Sequence, residues 1–340
     1  MMIGIESRTI FIERRVNDTM KRRLVYPDVL RAAACVATVL FSTCIAAGYT
    51  PAIGLLTWVC PMFLMLSGMF FLDGSWYLSG KELGKRYVLR LVVAYLVWGM
   101  LAVLVNALTG NVLQGILTGS SCYLNFLFVL FILYTFSPVL RVFTRAAQPR
   151  ELAYLVVFGV LLGGVYPFVQ SQIGSVRVAD YALMGFGYLG VFAAGWYLRT
   201  AFLTRKQLRI FYLLGAVCVI LAFRGLWGFD SFSTDPAQLM LSPDALLIAI
   251  AIFLVTKNTL AKKRLSAKIM RPIARLAQLS FGIYLIHPIL LAVLCWVLND
   301  YGIYLPAGLF VVGASALLIV VSGGLTWLIR KIPTVGRYLV

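Results

Sequence analysis

The sequence predicts an all-α integral membrane protein, a bundle of about ten transmembrane helices with both termini in the cytoplasm. Three observations lead there. Apolar runs long enough to cross a bilayer recur from residue 29 to residue 329 with short connections between them. Of 340 residues, 61% are hydrophobic and 12% charged, against roughly 25% charged in a water-soluble domain. The basic residues gather in alternate loops. The first two observations make lipid the main solvent, and the third gives the direction of each crossing.

Residues 1–27 form a polar, basic tail carrying Arg8, Arg14, Arg15, Lys21, Arg22 and Arg23. A basic head before an apolar run imitates a secretory signal. Here the run is long and another follows at once, so an uncleaved first helix is expected, with Met20 as an alternative start. Apolar runs then fall at about 29–47, 51–72, 87–108, 122–140, 153–170, 180–198, 209–228, 239–256, 276–298 and 304–329. A span needs about 20 such residues. Residues 28–329 therefore read as one ten-helix membrane domain and 330–340 as a short cytoplasmic tail, with nothing left over for a soluble domain.

The loops after the second, fourth, sixth and eighth runs hold three, three, four and seven basic residues, whereas the loops on the other side hold only Arg177. The positive-inside rule then puts both ends in the cytoplasm of a plasma or inner membrane. The same distribution accounts for the net charge of +18 without a nucleic-acid partner. Six cysteines (35, 44, 60, 122, 218, 295) lie in or beside apolar runs, with no CxxC pair and one histidine in the chain. Neither a metal site nor a disulfide framework is indicated.

Chemistry is expected where polar groups enter the spans. In the first run, Asp28, Arg31, Cys35, Thr38 and Ser42 share one helix face, and Ser42 lies about 16 Å below Arg31. A charge at the mouth of a span faces protein or water; Cys35, Thr38 and Ser42 could equally be small packing residues. His287, in SFGIYLIHPILL, lies near the midplane with Ser280 and Tyr284 on its face, at a depth comparable to Ser42. Buried imidazoles are often structural, yet an ionisable group inside a span is a functional candidate. Lys85, Arg86 and Arg90 open the third run, and guanidinium groups four residues apart can grip one phosphate. Arg224 and Asp230, among Trp227, Phe229 and Phe232, suit a sugar headgroup or, more plainly, an interfacial aromatic belt.

These pieces, in this order, resemble the membrane acyltransferase-3 family of O-acyltransferases acting on cell-surface glycans and lipids. The likeness runs from Asp28 onward through DVLRAAACVATVL, PMFLMLSGMFFL, the basic entry to the third run, YLNFLFVLFILYTFSPVLR, YLGVFAAGWYL and SFGIYLIHP. It implies transfer of an acyl group from cytoplasmic acyl-CoA, with acetyl-CoA the first choice, to a hydroxyl of an envelope polysaccharide or lipid. No bound cofactor is implied; the partners are acyl-CoA, the acceptor and membrane lipids.

Joined to the residue readings above, this makes Lys85, Arg86 and Arg90 the expected holders of the CoA phosphates, and Asp28 and Arg31 the expected shapers of a tunnel for the acyl-pantetheine arm. Tyr284, Arg224 and Asp230 are expected to serve the acceptor, and His287 to move the proton. The family pattern in the first span is an arginine followed by a histidine base; Arg31 matches the arginine, and Ser42 stands where the histidine would be. Three consequences are open. His287 supplies the base, with Ser42 as its neighbour or as a transient acyl carrier; proximity alone suffices; or the chain keeps the fold as a binding partner without activity. A transporter is the reading from another class, and the lack of a repeat between the two halves counts against it.

Overall fold

The structure, a computed structural model, describes residues 24–74, 79–110, 122–173, 178–223, 241–261, 263, 265–333 and 335–340. Among them there is no strand. A helix stands at every apolar run: α1 Val25–Ala46, α2 Ala52–Phe71, α3 Gly80–Leu108, α4 Cys122–Ala146, α5 Pro149–Gln170, α6 Val178–Thr200, α7 Arg205–Phe223, α8 Pro243–Leu260, α9 Ala267–Asp300 and α10 Ala307–Lys331. A short α11, Val335–Leu339, follows. Among the described residues, nine of these helices are long and apolar enough to cross a bilayer. The remaining one, α6, has 23 residues, or roughly 34 Å of helix.

Local chemistry sets the ends and breaks. Gly48 closes α1 with φ 63° and Gly302 follows α9 with φ 62°, the left-handed cap that glycine adopts without a Cβ penalty. The Tyr49 N–H donates back to the Cys44 carbonyl at 2.9 Å, and that of Ile303 to Leu298 at 2.8 Å. Within α2, Pro61 has no N–H for the carbonyl of Thr57, four residues back, and the helix is interrupted at Thr57–Trp58. At 34 residues, α9 is about 51 Å long and exceeds a hydrocarbon core of about 30 Å. Its first turns, with Lys268, Arg271 and Arg275, are exposed and precede the apolar run predicted at 276.

The outside of the bundle is apolar. Met100, Val103, Leu104 and Leu108 on α3 and Val312 and Val320 on α10 are exposed, as lipid contact requires and water does not favour. Inside, Tyr26, Leu30, Met62, Met65, Met69, Phe192 and Phe253 are almost wholly buried. Helix α6 packs on α2 and α5, and glycines make that approach possible. A Cβ on Gly68 would collide with the Phe192 carbonyl, and one on Gly195 with the Met65 carbonyl. Gly159 and Gly163 of α5 meet Gly190 and Gly187 of α6 backbone to backbone.

Several arginines of the basic end do more than set topology. Arg199 Nη1 reaches Asp73 Oδ2 at 2.8 Å and the Met69 carbonyl at 3.1 Å. Arg141 donates to the Asp73 carbonyl at 2.7 Å and Arg145 to that of Gly74 at 3.1 Å. Three cations from α4 and α6 thus clamp the end of α2. Arg199→Ala is expected to lower stability by about 1.5–3 kcal/mol, the usual loss for a charged hydrogen bond, read as a lower melting temperature in detergent. Arg205→Ala, at an exposed position of the same end, should leave melting unchanged. Equal melting of both variants would contradict the clamp.

Candidate active site

A cavity of about 430 Å³ opens among α1, α2, α3, α4, α9 and α10. Its polar wall consists of Arg31, Ser67, Tyr87, Arg90, Tyr134, Gln278, Ser280, Tyr284 and Arg330. Arg31, Tyr87 and Arg90 lie early in α1 and α3, Ser67 late in α2 and Arg330 in the last turn of α10, which places this part of the cavity toward the end of the bundle where basic residues collect, while Tyr134 and Tyr284 lie near the middle of α4 and α9. Among the described residues, three arginines face it and no carboxylate lines it.

Each cation is held from the side. Arg31 Cζ lies 5.4 Å from the Phe70 ring centroid, and Arg90 Cζ lies 4.5 Å from that of Phe281. Arg330 Nη2 donates to the Gln278 carbonyl at 2.6 Å. Among the described residues, the buried Nε of Arg90 has no hydrogen-bond partner. Buried donors are nearly always paired, and like charges around one cavity repel. An anion would relieve both conditions.

The cavity ends at Tyr284, whose ring packs against Phe63 (centroids 6.4 Å apart) and Phe126 (5.7 Å). Beyond it, on the next turn of α9, is His287, with ring centroids 6.2 Å apart. The imidazole is 1% exposed and Ser42 is 4% exposed. Ser42 Oγ lies 3.1 Å from His287 Nε2, and His287 Nδ1 lies 2.9 Å from the Ile283 carbonyl oxygen. A carbonyl can only accept, so in the neutral ring Nδ1 carries the proton and Nε2 is left to accept from the Ser42 hydroxyl.

Pro288 brings no N–H to the carbonyl of Tyr284, so the helix backbone beside the ring is rich in acceptors. Cys35 and Val39 of α1, Ala102 of α3, Ile283 and Leu291 of α9 and Leu318 of α10 form one buried apolar cluster. Nucleophile, base and an orienting group on the base's far nitrogen form the arrangement that activates a hydroxyl.

The face expected on α1 is partly realised. Arg31 lines the cavity, Cys35 packs beside Ile283 and Ser42 meets His287. Thr38 instead donates to its own helix at the Ala34 carbonyl, 2.7 Å away. Asp28 is half-buried on α1 and does not line the cavity.

Arg86 and Arg90 do not share the cavity as their spacing suggested. The wall takes Tyr87, Arg90 and Leu91; Arg86 lies a turn nearer the helix start and is exposed, with its guanidinium 5.7 Å from the Tyr87 ring centroid. Lys85 is exposed as well. The lining of the cavity includes Arg31, Phe63, Phe126 and Tyr284 but, among the described residues, neither Ser42 nor His287. Arg224 and Asp230 lie outside the described residues.

Arg330 was missed. It reads as an ordinary tail charge, but α10 continues through it to Lys331. The signal was a stripe at every fourth residue: Ser322 and Thr326 are completely buried, and Arg330 is next on that face.

A family model described as an acyltransferase domain matches residues 24–327. Comparison with curated proteins and with solved structures returned no match. The matched stretch holds the Ser42–His287 pair and all of the cavity wall except Arg330. On that match the chain belongs to the acyltransferase-3 family.

Proposed function

We propose that the protein is a membrane O-acyltransferase that takes an acyl group from cytoplasmic acyl-CoA and delivers it to a hydroxyl of an envelope glycan or lipid. The observation that carries this reading is the cavity, which among the described residues has three arginines, no carboxylate and an unsatisfied Arg90 Nε, and ends one helix turn from a buried serine–histidine pair. CoA offers phosphates to the arginines and a thin pantetheine arm to the apolar wall of Phe63, Leu66, Leu127 and Leu130. Guanidinium groups bind phosphate through paired, charge-assisted hydrogen bonds. His287 accepts the proton that a reacting hydroxyl gives up, with the free Nε2 fixed by the bond from Nδ1 to Ile283. The density of basic residues at the cavity end supports placing that end in the cytoplasm, where acyl-CoA is made.

The test is transfer of label from radioactive acetyl-CoA in membranes. Arg90→Ala and Arg330→Ala should each raise KM for acetyl-CoA about ten- to hundredfold, the equivalent of one charged hydrogen bond of about 1.5–3 kcal/mol, with a smaller change in kcat. Unchanged KM in both variants would remove the phosphates from this cavity.

A further inference from the structure

We propose that Ser42 carries the acyl group covalently, so that transfer proceeds in two steps through an ester on its Oγ. This inference rests on the acyl-CoA reading above and adds a nucleophile to it. It starts from what hydroxyls elsewhere in the helices do. Thr38, Thr43, Ser280, Ser322 and Thr326 each donate to a carbonyl of their own helix, the usual fate of a hydroxyl in a span. Ser42 does not. Its Oγ leaves its own helix and meets the one nitrogen of His287 that can accept a proton. A serine turned from its own backbone toward an oriented imidazole at 3.1 Å has the relation a nucleophile has to its base.

In the first step Ser42 Oγ attacks the thioester carbonyl carbon. The C–O bond forms, the C–S bond breaks, and the serine proton passes to His287 Nε2 and then to the departing sulfur, releasing CoA as the thiol. In the second step the acceptor hydroxyl attacks the ester carbonyl and gives its proton to Nε2. The serine oxygen leaves and takes that proton, which restores the pair. No oxidant, metal or further reactant enters. Burial suits such an intermediate: with Ser42 4% and His287 1% exposed, water has little access, and an ester held there outlasts the exchange of donor for acceptor. A two-step route also lets the donor, on the arginine side of Tyr284, and the acceptor react without being bound together.

The diagnostic is isotope exchange between radioactive CoA and acetyl-CoA, measured on the purified full chain in lipid nanodiscs with no acceptor present. Wild type should pass label into acetyl-CoA and, after acid quenching, retain acetyl from acetyl-CoA on the peptide that contains Ser42. Ser42→Ala should abolish both signals, His287→Ala should slow exchange at least a hundredfold, and Ser42→Cys, which keeps a nucleophile, should retain exchange.

If wild type binds acetyl-CoA in equilibrium dialysis and transfers acetyl in membranes but shows no exchange, the covalent step is overturned and the acyltransferase reading stands. Transfer by Ser42→Ala at the wild-type rate overturns it equally. Absence of acetyl-CoA binding in folded wild type removes the donor, and the ester intermediate with it.

Discussion

His287→Ala is expected to reduce acetyl transfer to membrane acceptors by about 10²–10⁴-fold, the range attributable to a positioned acid–base group, while KM for acetyl-CoA stays at the wild-type value. The separation follows from geometry. His287 does not line the arginine cavity proposed to hold the donor; it lies one turn deeper, beside Ser42, where the proposed reaction has the hydroxyl give up its proton. The chain contains no other histidine that could take over. A variant that loses transfer because it fails to fold would lose donor binding as well, and equilibrium dialysis with acetyl-CoA tells the two apart. Transfer within a few-fold of wild type would mean that the imidazole only fills space between α1 and α9.

The second large effect concerns folding. Gly195→Ala should destabilise the protein by more than about 3 kcal/mol, the upper end of ordinary overpacking, because the added methyl runs into the Met65 backbone carbonyl and not into a flexible side chain. Helices α2 and α6 would have to separate, and the neighbouring Gly68–Phe192 contact would open with them. Little monodisperse protein should survive gel filtration in detergent. The control lies on the same helix. A methyl on Gly185 meets nothing within 4 Å, and Gly185→Ala should be neutral or gain up to about 1 kcal/mol from helix propensity. Similar behaviour of the two variants would show that the α2–α6 crossing is looser than described.

The sequence showed the helices plainly because lipid demands long apolar runs, and each predicted run is occupied by a helix. Helix ends were less legible. Turns at the helix ends such as 267–275 are polar, and hydropathy does not separate them from loops. Which helices touch was hidden for another reason: Gly68, Gly159, Gly163, Gly187, Gly190 and Gly195 look like any membrane glycines until their partners across the crossing are known.

At the site, equal depth made Ser42 and His287 candidates, but a common depth leaves rotation about each helix axis undetermined. Only the packing of α1 on α9 turns the two side chains together. Arg31 and Arg90 were recognisable as charges inside apolar runs. Arg330 was not, since it sits where the positive-inside rule already expects a cation, and Arg141 and Arg199 were counted for topology although they hold the end of α2. Spacing alone also paired Arg86 with Arg90, and only the position of the cavity along α3 separates them.

The rings of Phe63, Phe126 and Tyr284 have an electrical consequence. An uninterrupted file of arginines, hydroxyls and imidazole through a bilayer would invite water wires and let protons run down the gradient that energises the cell. Aromatic rings packed edge-on and tilted between the arginine cavity and the imidazole break that file, so the protein should be as ion-tight as the surrounding membrane whenever these rings are in place.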